Sequence, residues 1–585
     1  MPTQFIITAL RLCCIMLLAI LSVWEIANAE EPNSGELLYN GIQLPAEWPP
    51  RLQDYPPDPV TPPYLESPPA VIPIDVGRQL FVDDFLIEES TLKRVHHQPE
   101  YYEGNPILIP DQPWELTGYN YRGGNGFPSP VAGVRGSSPY AMPHSDGVWY
   151  DPDEKLFKMW YYGGEGPSPT GSLAVTCYAT SRDGIHWVKP KLDANPWLDL
   201  NKTNIVRFGK RGSASIWFDQ QTDKPEERYK MWSGREMFRS PDGINWTQVM
   251  SFGPCGDRTT FFYNPFRQKW VFSIKSTPEW GLGRGRTRLY FESDDFFSRP
   301  EWGDKPGSQE GDVVLWTNAD SADPMWEGVG VTPELYALDS VAYESLMLGL
   351  FVIWRGDTPE IRNQGRPKLN EVFVGFSRDG FHWDRPNRKA FLPITNEIGA
   401  WNWGNVQSCG GGCLVVGDKL YFYCGGRAGM EAPGSTNHSA GSSTGLAMLR
   451  RDGFASMEAG AKPGVLTTRP VLFKGNHLFV NTATKEGELR VEVLDEAGEV
   501  IPPFTKANCT AINSDTTLQQ VRWKETPDLS KLSGQPVRFR FHLTNGSLYS
   551  FWVSGDESGA SHGYIAAGGP GYKGPIDTVG RKALE

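Results

Sequence analysis

The sequence predicts an all-β fold, a five-bladed β-propeller followed by a C-terminal β-sandwich. Three observations predict it: a recurring Ser-x-Asp-Gly-x-x-Trp turn, an aromatic strand pair in phase before each copy, and a shift beyond Gly464 to strictly alternating strands.

The order begins at the N-terminus. Arg11 precedes the apolar run from Cys14 to Leu21, and Ala27-Asn28-Ala29 supplies a small-x-small cleavage pattern. Residues 1–29 are therefore expected to be a signal peptide, and the mature chain to be secreted or periplasmic. The run is shorter than the ~20 residues of a spanning helix, so no membrane span is expected once the signal is removed. Residues 30–73 are a proline-rich, extended lead-in with little capacity to pack alone.

The propeller is expected over residues 74–463. Ser181-Arg182-Asp183-Gly184-Ile185-His186-Trp187 returns as Ser240-Pro241-Asp242-Gly243-Ile244-Asn245-Trp246 and as Ser377-Arg378-Asp379-Gly380-Phe381-His382-Trp383. Weaker copies stand at Asp294 and Asp452. A period of roughly 50–85 residues implies a repeated supersecondary unit. Asp-Gly suits a tight hairpin turn. Upstream of each marker lies an aromatic pair of strands, as in Val148-Trp149-Tyr150 before Phe157-Lys158-Met159-Trp160. Five such antiparallel units with almost no helical periodicity match propeller blades.

After Gly464 the segments Glu488–Leu494 and Val537–Phe541 alternate apolar and polar residues, which gives strands one buried face and predicts a sandwich over 464–557. The Gly-rich stretch 558–585 is expected to be a flexible tail.

Composition narrows the function. With 39% hydrophobic and 21% charged residues the chain is globular. A net charge of -13 and the lack of a long basic block exclude nucleic acid as the main partner. No Gly-rich loop follows a strand and opens a helix, so no nucleotide cofactor is implied. Cys409 and Cys413 lack the partner spacing of a zinc site, so buried thiols or one local disulfide, and no metal, are expected.

A propeller gathers the starts of its first strands around one axis. Those starts supply His144 and Asp146 in the first unit, Asp257 and Arg258 in the third, Glu334, Asp339 and Glu344 in the fourth, and Trp403 and Gln407 in the fifth. Asp146 precedes Asp151 by the same offset that separates Asp339 from Glu344, which suggests equivalent positions. Acids meeting in a confined pocket push their pKa values apart, so one stays protonated while another ionises. That is the pair glycoside cleavage uses. Asp146, Asp257 and Asp339 are the candidate catalytic core, with Glu334 or Glu344 as the acid. Arg258 would hold a carboxylate or a substrate anion, His144 and Gln407 would bind hydroxyls, and Trp403 would stack on a sugar face.

The blade pattern, the acids near first strands and the C-terminal sandwich resemble the five-bladed glycoside hydrolases of the invertase and arabinanase group, families 32 and 43. The repeated turn also resembles the Asp-box of sialidases. The resemblance implies a carbohydrate substrate and places Asp146 at the first-blade base or nucleophile. The Asn-Asp-Pro-Asn-Gly, Arg-Asp-Pro and Glu-Cys motifs of the invertases are absent, and the second unit lacks the group's pKa-tuning acid. The expectation is a glycosidase acting on a poly- or oligosaccharide. The rivals are a non-catalytic carbohydrate-binding propeller and a glycoside phosphorylase or transferase, in which Arg258, Arg284 and Arg286 would serve the anion.

Overall fold

The structure, a computed structural model, describes residues 34–117, 127–128, 135–136, 139–168, 171–209, 214–276, 285–304, 309–429 and 441–584. The expected signal peptide lies outside them. The described residues are nearly all β, and the α-helices among them are single turns such as Pro63–Glu66 and Pro359–Asn363.

Five antiparallel meanders follow one another along the chain. The first runs through Val148–Asp151, Leu156–Ser168, Gly171–Ser181 and Trp187–Val188, and Ile205–Gly209 also pairs its third strand. The second comprises Ala214–Phe218, Tyr229–Ser233, Glu236–Ser240 and Thr247–Ser251. The third comprises Thr260–Asn264, Lys269–Lys275, Arg288–Ser293 and Val314–Thr317. Glu334–Glu344, Leu346–Gly356 and Leu369–Ser377 form the fourth, joined by one parallel bridge, Asn370 to Asn405, to the fifth. The fifth comprises Asn405–Ser408, Lys419–Arg427 and Ser442–Arg450. Its outer strand is Glu100–Tyr101, contributed from the far N-terminal side of the array.

The Asp-Gly turn explains how the meanders hold their neighbours. In each of the three full copies one carboxylate oxygen accepts two backbone N–H groups: Asp183 from Ile185 and His186, Asp242 from Ile244 and Asn245, Asp379 from Phe381 and His382. The serine hydroxyl accepts the glycine N–H at 2.9 Å every time. Gly184, Gly243 and Gly380 have φ of 76°, 75° and 83°, where a side chain is strained. The turn then offers a carbonyl to an aromatic donor of the preceding unit. Trp160 of the first meander donates to Gly243 O of the second at 2.7 Å, and Trp316 of the third to Phe381 O of the fourth at 2.8 Å. Tyr423 of the fifth meander donates to Gly184 O of the first at 2.7 Å, so the series returns to its start.

The C-terminal region forms two further sheets. One orders Asp515–Gln520, His477–Ala483, Gly546–Ser554, Ala455–Ala459 and Lys93–His96, and the other Glu488–Leu494, Arg538–Thr544, Gly464–Thr468 and Ile87–Ser90. Leu478, Val480 and Phe551 of the first share one apolar core with Leu466, Val491, Phe539 and Phe541 of the second.

Two boundaries differ from the sequence reading. The strands after Ile74 were expected to open the repeat array, yet Gln79–Leu80, Ile87–Ser90 and Lys93–His96 pair with C-terminal strands. Local alternation identifies a strand but not its partner. The expected flexible tail is packed: Tyr564–Ile565 pairs with Tyr343 and Glu344, and Tyr572 and Asp577 are buried. The lead-in is extended and anchored, with Tyr55 buried and donating to Arg288 O at 2.8 Å. Cys177, Cys255, Cys409, Cys413, Cys424 and Cys509 are buried free thiols.

Replacing Asp379, which is buried, by Ala strips the acceptor from two backbone N–H groups. The variant should lose ~1–3 kcal/mol of stability in urea denaturation, while a change of exposed Glu496 to Ala should stay within about 0.5 kcal/mol.

Candidate functional site

The starts of the first strands converge. Arg258 stands just before the third meander, is almost fully buried, and reaches towards two others: its Nη2 donates to His144 Nδ1 at 2.7 Å and to Gln407 Oε1. An arginine only donates, so His144 Nδ1 accepts, and the neutral ring carries its proton on Nε2. That proton faces Tyr140 Oη at 2.6 Å, which also accepts from Arg427 Nη2 at 2.7 Å. Gln407 passes the chain on, its Nε2 donating to Asn405 Oδ1 at 2.7 Å. One network thus links meanders one, three and five.

The three aspartates predicted as the core meet here with different environments. Asp146 is fully buried; its Oδ1 accepts from Ala214 N at 3.1 Å and its carbonyl from Ile216 N at 2.9 Å, so it fastens the first meander to the second. Asp339 is buried, and Ser408 Oγ donates to its Oδ2 at 2.5 Å. Burial pushes the Asp339 carboxyl up, against the hydrogen bonds of Ser408 and Ser145 and the pull of Arg288 and Arg258. Both carboxylates lie close enough to Cys409 to raise its thiol, secondarily to burial.

Asp257 is the solvent-facing acid, its side chain 55% exposed, and it ion-pairs with Lys275. Partial enclosure by the surrounding loops opposes its ionisation. Lys275, Arg258 and Lys368 outweigh that and hold the carboxyl well below the usual range. Arg288 ties the two acids together. Fully buried, it donates to the carbonyls of Arg258 and Tyr336 and feels the charge of both Asp339 and Asp257; burial lowers it to about 9.

Sequence reasoning missed the centre of this mouth. Tyr336 lies in the apolar run Leu335–Leu338 and reads there as core. Its hydroxyl accepts from Lys368 Nζ at 2.7 Å. Burial raises the phenol, but Lys368 and Arg258 overcome it and bring the group well below the ordinary tyrosine value. Lys368 stands just before the strand Leu369–Ser377, where a lysine reads as surface, and only tertiary contact reveals it.

Other candidates fall to the rim or outside. Glu334 stands at the rim, accepting from Arg286 N at 3.1 Å and Arg286 Nη1 at 2.5 Å. Arg284 lies outside the described residues. Trp403 is buried beneath Arg366, which donates to its carbonyl at 3.0 Å, so the expected sugar-stacking face is covered.

Glu344 is a correction. It is fully buried in a separate ionic cluster, 2.9 Å from Arg451 and 3.5 Å from Arg78, with Ser561 donating to it at 2.7 Å. Arg78 also pairs with Asp452, and Arg451 with Asp577. Glu344 ends the 11-residue strand Glu334–Glu344 and pairs there with Tyr564, away from Ser408, the hydrogen-bond partner of Asp339. The matched offset with Asp151 fails as well, since Asp151 pairs with Lys158 and Arg228 and not with the Arg258 network.

No protein-family model and no curated protein matches the chain. Among solved structures it is similar to an N-acetylgalactosamine deacetylase from F. plautii, at 12% identity and a TM-score of 0.37, over 60% of this chain and 97% of that one. It is similar to a fructofuranosidase from Schwanniomyces occidentalis, at 13% identity and a TM-score of 0.33, over 78% and 98% of the two chains. An exo-β-1,3-galactanase from Phanerochaete chrysosporium matches at 13% identity and a TM-score of 0.30, over 70% and 95%.

Glu344→Gln should cost ~3–5 kcal/mol in chemical denaturation, because Arg78 and Arg451 lose a buried counter-charge. Any enzymatic turnover, per folded molecule, should stay within about twofold of the parent. A catalytic glutamate would give the reverse pattern.

Proposed function

We propose that this protein is an exported glycoside hydrolase that cleaves a poly- or oligosaccharide at the axis of a five-bladed propeller, to which a C-terminal sandwich is docked. The observation that carries the reading is the opposition between two acids that share Arg258 and Arg288. Asp257 is kept ionised and faces solvent, whereas Asp339 is pushed towards its protonated form. Glycoside cleavage needs this division, one carboxyl to protonate the departing oxygen and one carboxylate to act as base or nucleophile.

The remaining groups have definite places in that scheme. Asp257, with Lys275 beside it, is the ionised partner at the mouth. Asp339, buried and held by the Ser408 hydroxyl, is the proton-holding partner deeper in, its protonated form favoured by burial. Arg258 fixes His144 in one tautomer, so the imidazole is a positioned neutral hydrogen-bonding group rather than a cation. Asp146 holds the first two units in register and acts as a positioning residue. The return of the Tyr423 contact to Gly184 and the five successive meanders support the propeller. The two sheets sharing one core support the sandwich. The leader pattern at residues 1–29 supports export.

On a glycan found by screening a polysaccharide panel, Asp257→Asn and Asp339→Asn should each lower the cleavage rate about 10²- to 10⁴-fold. Circular dichroism should show both variants folded. Full activity in both would refute the assignment.

A further inference from the structure

The mouth of the site carries more positive charge than its own acids neutralise. Four cationic side chains surround the Tyr336 ring: Lys368 at 4.3 Å from its centroid, Arg258 at 5.2 Å, Lys275 at 5.3 Å and Arg286 at 5.8 Å. Two of them have carboxylate partners, Lys275 with Asp257 and Arg286 with Glu334. Among the described residues no carboxylate lies within ion-pair distance of Lys368 or Arg258. Ionisation of Tyr336 would offset only one of those two charges. This happens in a chain whose net charge is -13, so the patch opposes the sign of the whole molecule.

Burial makes the excess costly. Arg258 is 3% exposed; its Nη2 donates to the neutral acceptors His144 and Gln407, and its positive charge is shared with Tyr336 and with Asp257, which Lys275 already pairs. Burial pushes the Lys368 ammonium down, with Tyr336 pulling it back. A desolvated cation without a counter-charge is unfavourable, and an anionic ligand removes that penalty where a neutral hydroxyl does not. The edge of the cluster meets solvent, where Asp257 is more than half exposed and a third of the Arg286 side chain is accessible.

We infer that the site binds an oxyanion carried on the saccharide, a carboxylate, sulfate or phosphate group, held by Lys368, Arg258 and Lys275 over Tyr336. The saccharide half of this assignment rests on the cleavage reading, whereas the anion half rests on the cations alone. Charge-assisted hydrogen bonds are roughly twice as strong as neutral ones, so acidic glycans gain over neutral glycans of the same shape. The oxyanion could also be supplied as free phosphate, and the experiment separates the two sources.

The test is isothermal titration calorimetry of the mature protein at fixed ionic strength. The probes are glucuronate, galacturonate, galactose 6-sulfate, glucose 6-phosphate, the neutral parents glucose and galactose, and inorganic phosphate. At least one anionic sugar should bind at one site per chain and about tenfold or more tighter than its neutral parent. Lys368→Met and Lys275→Met should each weaken it about 10- to 100-fold, the equivalent of one charged hydrogen bond. The exposed Lys573→Met should not, and melting curves should show all three variants folded. The inference is overturned if no anionic sugar outbinds its parent or if neither axial variant weakens binding. Binding of inorganic phosphate alone, sensitive to Lys368→Met, also overturns the saccharide assignment and gives the cations to free phosphate. Should anion binding hold while Asp257→Asn and Asp339→Asn cleave normally, the anion site stands and the hydrolase reading falls.

Discussion

The Asp-Gly turn is the constraint on which the rest of the structure depends. Its aspartate absorbs the backbone donors that a hairpin leaves over, its glycine takes a left-handed conformation, and its carbonyl then faces an aromatic donor of the preceding unit. One such contact is worth only ~1 kcal/mol. Its importance is geometric. Made between the first and second, third and fourth, and fifth and first meanders, it constrains the angle between those neighbouring sheets. That angle brings the starts of distant strands together, and no local interaction among residues 144, 258 and 407 could do the same.

Once those starts converge, electrostatics sorts them. Asp146 receives a backbone donor and becomes part of the frame, Asp339 is stripped of solvent, and Asp257 is surrounded by lysine and arginine. Identical carboxyls thus end in three different states through their neighbours alone. The same cations crowd Tyr336 and leave a surplus of charge at the opening. The proposed cleavage and the inferred preference for an acidic ligand both draw on this one arrangement.

Much of this was legible in the sequence where a periodic feature carried it. The Asp-Gly copies gave the repeat, and counting back from each to its first strand gave His144, Asp146, Asp257, Arg258, Asp339 and Gln407, all of which lie in or beside the network centred on Arg258. The same counting failed for Glu344, because a strand of 11 residues has two ends in two environments. It failed for Trp403, whose face is covered by Arg366, a residue remote from it in sequence. Tyr336 and Lys368 were invisible for a further reason: a tyrosine among leucines reads as core, and a lysine before a strand reads as surface. Only the third dimension sets one 2.7 Å from the other. Likewise Ile87–Ser90 is recognisable as a strand, but its pairing with Gly464–Thr468 is not, since strand pairing leaves no local signature.

The central claim is that two acids in one site are driven apart in their proton affinity. Carbon-13 NMR titration of the aspartate side-chain carboxyls, assigned with the two single Asn variants, measures this directly and needs no substrate. The account predicts that Asp257 stays ionised far below the range of an ordinary aspartate, while Asp339 takes up its proton above it. Two carboxyls titrating together near the ordinary value would contradict it.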